Sequence, residues 1–192
     1  MRTPKTTTLL ALLALFLAAG PALADKFSDT ISLFKNAKES SAFFHKSYGY
    51  AVFPTIGKGG LGVGGAYGEG RVYEKGKHVG DTKMGQLSIG FQAGGEGYSQ
   101  IIFFEDKRSL DEFKSGNFEF GANVNAVVIT AAASGTAGTT GSSVGASAGK
   151  KDATNAGEFY KGMVVFQIVK GGLMYEASVS GQKFTYKPVG GK

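Results

Sequence analysis

Two spacings of apolar residues divide the chain. Along Leu87–Gly94, the residues Leu87, Ile89, Phe91 and Ala93 alternate with Ser88, Gly90, Gln92 and Gly94. A period of two sends successive side chains to opposite faces of a strand. In Gly60–Gly64, Leu61 and Val63 alternate with glycines in the same way. Phe118, Phe120, Ala122, Val124, Ala126 and Val128 repeat the pattern through Thr130, as a half-buried strand would. Ile101-Ile102-Phe103-Phe104 is apolar without a break, which predicts a strand covered on both faces.

Nearer the start the spacing is helical. Phe27, Ile31, Phe34, Ala37 and Ser41 recur at three to four residues, with Leu33 and Phe44 on the flank. This predicts one helix over Asp25–Tyr48, with Asp25 as N-cap and Gly49 as terminator. Lys38 falls within the stripe and spoils its amphipathicity. A second, short helix is predicted over Asp106–Ser115, with Ser109 and Glu112 at capping-box spacing and Gly116 as the stop.

Turn residues set the remaining boundaries. A short strand Tyr50–Phe53 is expected to end at Pro54, and Thr55–Gly59 to be a loop. Lys75-Gly76-Lys77 reads as a hairpin turn. Further turns are expected at Lys170-Gly171-Gly172 and Gly181, between strands Met163–Val169, Leu173–Val179 and Phe184–Tyr186. These elements predict a mainly β (α+β) fold. It would be a curled antiparallel sheet, a sandwich or partly closed barrel, with a long N-terminal helix and one short helix.

Composition changes this picture in three places. The chain has 192 residues, a formal net charge of +6 and no cysteine. Met1–Lys5 is basic, Leu9–Ala19 is apolar, and Ala22-Leu23-Ala24 fits a cleavage site. Residues 1–24 are therefore expected to be a signal peptide cut after Ala24, giving a periplasmic or secreted protein. Removing Arg2 and Lys5 leaves a net charge of +4, a weak bias toward anionic surfaces. No basic block or basic-aromatic repeat points to nucleic acid. Fifteen of the residues from Gly57 to Gly97 are glycine, too many for a helix, and they leave one strand face nearly bare. Residues 131–157 are rich in Gly, Ala, Ser and Thr and read as a loop or irregular edge, and residues 189–192 as a frayed tail.

Catalytic motifs fail on context. Gly60–Gly65 matches the dinucleotide fingerprint, but a strand-like run follows instead of a helix. Gly145–Gly149 matches a nucleophile elbow, but it lies in the low-complexity segment. His45 and His78 have no neighbours at metal-ligand spacing. Asp106, Asp111 and Glu112 suit a helix better than an acid-base pair. No enzyme, cofactor or metal site is expected. An outer-membrane β-barrel fits the leader and the alternation, but not the long helix, the Ile101–Phe104 run or a polar Gly191-Lys192 end.

From Lys46 to Pro188 the chain resembles the SYLF domain family. The resemblance is carried by Gly49-Tyr50-Ala51-Val52-Phe53-Pro54, Lys58-Gly59-Gly60, Ser88–Gly95, Ile101–Phe104, Phe120-Gly121-Ala122-Asn123 and the Lys170-Gly171 pair. It implies a compact, β-rich, non-enzymatic lipid-binding domain over residues 49–188, preceded by a basic amphipathic helix over residues 25–48. Carried onto this chain, it makes Lys26, Lys35, Lys38, Lys46 and Lys58 the candidate contacts for anionic phospholipid. Phe27, Ile31 and Phe34 would enter the membrane if the helix lies on its surface. The alternative is a structural or protein-interaction module of the bacterial cell envelope, with that helix packed on the sheet.

Overall fold

The computed structural model describes residues 22–116, 118–120, 126–129 and 158–190. Most of the expected signal peptide, the low-complexity segment with its elbow match, and the last two residues lie outside these. Three very long strands dominate: β1 (Gly49–Glu74), β2 (Lys77–Phe104) and β5 (Met163–Pro188). β1 pairs antiparallel with β2, and β2 with β5. The short β3 (Glu119–Phe120) adds antiparallel to β5, while β4 (Ala126–Ile129) pairs with it in parallel. The sheet is mainly antiparallel and does not close into a barrel among the described residues.

Several expected turns are bends within continuous strands. Pro54 does not end a strand. It sits where the β1–β2 register shifts between Phe53 and Ile56, a bulge that tolerates its missing N–H. Gly171 and Gly172 have φ of 159° and 111° and lie opposite a second shift at Gly97/Tyr98, so β5 bends there without reversing. Gly181 pairs with Leu87 inside the ladder. The Lys75-Gly76 turn is a true reversal, with φ of 49° and 79°. Of the single strand expected over Phe118–Thr130, the described residues form only the short β3 and β4, and residues 121–125 and 130 lie outside the described residues.

The bends fold the sheet back on itself. The N–H of Lys75 donates to the Tyr48 carbonyl at 3.1 Å, closing the two ends of β1 together. A Cβ on Gly70 would lie 2.7 Å from the Phe53 ring and 2.8 Å from the Val52 carbonyl. Only glycine permits that approach, so the bare face is used for packing one limb of β1 on the other.

Alternation then builds two cores. Ala51, Phe53, Ile102, Phe104 and Val165 point into the fold, where they meet Val72, Met84 and Phe184. Leu110 and Phe113 of α4 (Lys107–Lys114) close this core. Val52, Ile101, Phe103, Val164, Phe166 and Ile168 point outward and are covered by Phe27, Phe34, Ala37 and Phe43. The predicted two-sided burial of Ile101–Phe104 follows from the two cores together. The α4 capping box is Asp106 with Ser109, one turn earlier than the sequence spacing suggested.

The covering layer is not one long helix. It consists of α1 (Ala22–Asn36), α2 (Lys38–Ser41) and α3 (Phe43–Lys46). The chain breaks at Ala37, whose ψ of 125° is extended and whose side chain is fully buried. Ser40 Oγ donates to the Phe34 carbonyl at 2.6 Å, satisfying an acceptor that the broken helix leaves open. The break turns Phe43 into the aromatic cluster with Phe103 and Phe166.

Candidate functional site

At the bend of the β1–β2 ribbon the usual distribution of side chains is reversed. Leu61, Val63, Leu87 and Ile89 face solvent, with Leu61 84% and Leu87 75% exposed. Val63 pairs with Ile89, and Gly65 with Leu87, so the four form one patch on adjacent strands. Tyr67 extends it, with its hydroxyl donating to Glu69 at 2.9 Å. The intervening Gln86 and Ser88 point inward, and Ser88 is 1% exposed. The alternation expected at Leu87–Ile89 is therefore present, but its apolar side faces out.

A glutamine chain explains how the interior accepts polar groups. Gln100 and Gln167 are cross-strand partners, as are Gln86 and Gln182. Folding the sheet brings the two pairs face to face. Gln167 Nε2 donates to Gln100 Oε1 at 2.8 Å, and Gln182 Nε2 donates to Gln86 Oε1 at 3.0 Å. Gln100 Nε2 donates to Gln182 Oε1 at 3.3 Å, joining the pairs across the fold. Gln100 and Gln182, at the centre of the chain, each donate and accept, while Gln167 donates and Gln86 accepts at its ends, so the buried amides find partners. The sequence showed these glutamines but not that bending would align them.

The residues singled out in the sequence do not form one site. Phe27 and Phe34 are buried in the outer core, and Ile31 packs partly against it. In this conformation their side chains hold α1 to the sheet instead of facing a membrane. Lys26 lies over the Phe27 ring, Lys35 over Phe44 and Lys46 over Phe43, each with its ammonium within 6 Å of the ring centre. Lys38 is exposed on α2. Lys58 stands apart from them, half-buried on β1 opposite Glu96 near the ribbon bend.

A cleft of about 420 Å³ lies where α1, α3 and the β1–β2 turn meet, lined by Lys35, His45, Ser47, Tyr48, Tyr50 and Lys75 among others. Tyr50 stacks on Tyr73 with centroids 5.0 Å apart. Burial, and secondarily Tyr73, push its phenol up to about 12. Glu74 is held below the ordinary carboxylate range, first by Lys114 and then by the Tyr48 hydroxyl, both at 3.0 Å. His78 is exposed and bonds to Asp81, and the described residues contain no cluster suited to a metal ion. No helix among them is long and apolar enough to cross a membrane.

The model of the Ysc84 family, described as Las17-binding protein actin regulator, matches residues 85–188. The chain belongs to this family. The match begins at the exposed patch and takes in most of β2 and all of β5, with Leu87, Ile89 and all four chained glutamines. The Ysc84 match is the same family as the SYLF resemblance, and it leaves all five candidate lysines outside its bounds. A protein of Aeromonas veronii named Beta cell expansion factor A is 32% identical over 158 residues, covering 80% of this chain and 51% of that protein. The chain thus spans about half the length of that relative. No solved structure matches.

Proposed function

We propose that this Ysc84-family chain is an exported, non-enzymatic lipid-binding domain that associates with anionic phospholipid membranes. The observation that carries the reading is the reversed ribbon, apolar outside at Leu61, Val63, Leu87 and Ile89 and polar inside at Gln86 and Ser88. Lipid-facing β-structure has that distribution. Full transfer of each aliphatic side chain into hydrocarbon contributes about 1.5–3 kcal/mol. Each lysine near an anionic surface contributes about 1 kcal/mol and is screened by salt. The apolar patch therefore decides depth and strength, while Lys26, Lys35, Lys38, Lys46 and Lys58 supply attraction.

A second reading is a structural or protein-interaction module of the cell envelope. The burial of Phe27 and Phe34 favours it, because a permanently packed α1 offers no membrane anchor of its own.

Co-sedimentation with phosphatidylglycerol–phosphatidylcholine vesicles at low salt separates the two. The lipid reading expects binding that Leu87→Asp with Ile89→Asp abolishes and that Lys35→Glu with Lys38→Glu weakens. A chain that ignores these vesicles sinks the lipid reading.

A further inference from the structure

We propose that the cleft between α1, α3 and the β1–β2 turn seats a phosphate group. Three cationic or protonatable side chains reach it from three separate elements: Lys35 from the last turn of α1, His45 from α3, and Lys75 from the turn. None of them makes an ion pair among the described residues. The nearest acid in sequence, Glu74, is already engaged by Lys114 and Tyr48.

Ser47 also lines the cleft, and its Oγ is buried with no hydrogen-bond partner among the described residues. Buried hydroxyls are rarely left unpaired, so an unsatisfied one at a basic cleft calls for an acceptor from outside. A tetrahedral oxyanion takes donors from several directions at once. It can accept from an ammonium on either wall and from a hydroxyl at the base.

Lys75 adds a second argument. It occupies a left-handed conformation, φ 49°, at a turn position where Asn, Asp or Gly is the ordinary choice. A long cationic side chain sits there against backbone preference, at the cleft and with its ammonium over the Tyr48 ring.

The phosphate has two possible sources with one chemistry. Seating the headgroup of an anionic phospholipid rests on the membrane reading above. Seating a free phosphate does not.

The test is an NMR titration of the full chain with inorganic phosphate, against chloride at equal ionic strength. The expected result is saturable shifts of the Ser47, Lys75 and Gly76 amides, with Leu87 and Ile89 unmoved. Lys35→Gln with Lys75→Gln should weaken binding by roughly tenfold or more, and Ser47→Ala by less. No shift, or equal shifts with chloride, overturns the proposal. In a second arm, the lysine pair variant is sedimented with phosphatidylglycerol vesicles and with phosphatidylcholine vesicles. Loss of phosphatidylglycerol binding alone identifies a headgroup, and unchanged binding beside a positive titration identifies free phosphate. If phosphate titrates while the unaltered chain ignores vesicles, the membrane reading fails and the phosphate seat stands.

Discussion

At Ile101–Phe104 every second side chain of β2 enters one apolar core and the others enter a second. Earlier on the same strand, Leu87 and Ile89 meet solvent while Gln86 and Ser88 are buried. Both stretches are strands in one sheet with the same two partners. What differs is what lies beyond each face. The first has α1–α3 on one side and the folded-back limb on the other, so apolar side chains are covered wherever they point. The second has only the folded-back limb, which presents glutamines. Local pattern fixes which residues share a face, and tertiary cover fixes which face is dry.

The largest effect should come from breaking the covered end. Phe103→Ala removes a fully buried ring that touches Phe43, Phe44 and Phe166, and should cost about 3–5 kcal/mol in denaturant unfolding. Next is Gly70→Val, which drives a side chain into the Phe53 ring and the Val52 carbonyl. An overpacking cost of about 1–3 kcal/mol or more is expected, with a matching fall in Tm. A tolerated valine there would mean that the two limbs of β1 do not pack closely.

Gln100→Ala sharpens the comparison from inside. It strands the amides of Gln167 and Gln182, for a cost of about 1–3 kcal/mol. The exposed end should hardly notice its own change: Leu87→Ser with Ile89→Ser is expected to stay within about 0.5 kcal/mol per site. If that double variant unfolds the chain, the patch is core and not surface.

Ionisation separates the two regions further, with smaller effects. Glu74, lowered first by Lys114, gives stability that is present above its ordinary value of about 4.5 and lost as pH falls through its folded value. Glu74→Gln should flatten that acid limb of the Tm profile. Tyr50, raised by burial, gives stability that is full below pH 10 and lost as pH rises toward about 12. Tyrosinate absorbance of Tyr50→Phe against the unaltered chain should show one phenol missing from the late part of the titration.

Much of the fold was legible because it rests on period. The strand character of Leu87–Ala93, the doubly covered Ile101–Phe104 run and the Lys75-Gly76 reversal are written in local sequence. The bends were not. Pro54, Gly171-Gly172 and Gly181 look like turn residues, yet a bulge or an extended glycine lets the strand run on. The break at Ala37 was also hidden, since Ala is a strong helix former and only burial of Phe34 and Phe43 on one sheet face requires it. For the site, the lysines and aromatics of α1 were visible, but their roles depend on what α1 packs against. The outward patch needed the bend before inside and outside could be told apart.

The chain has no tryptophan, so one introduced indole reports alone. Ile89→Trp and, as its counterpart on the helical layer, Lys38→Trp should be mixed in turn with phosphatidylglycerol vesicles carrying brominated acyl chains. The account predicts a blue shift and strong quenching for Ile89→Trp, with little change for Lys38→Trp. Quenching of Lys38→Trp while Ile89→Trp stays in water would contradict it.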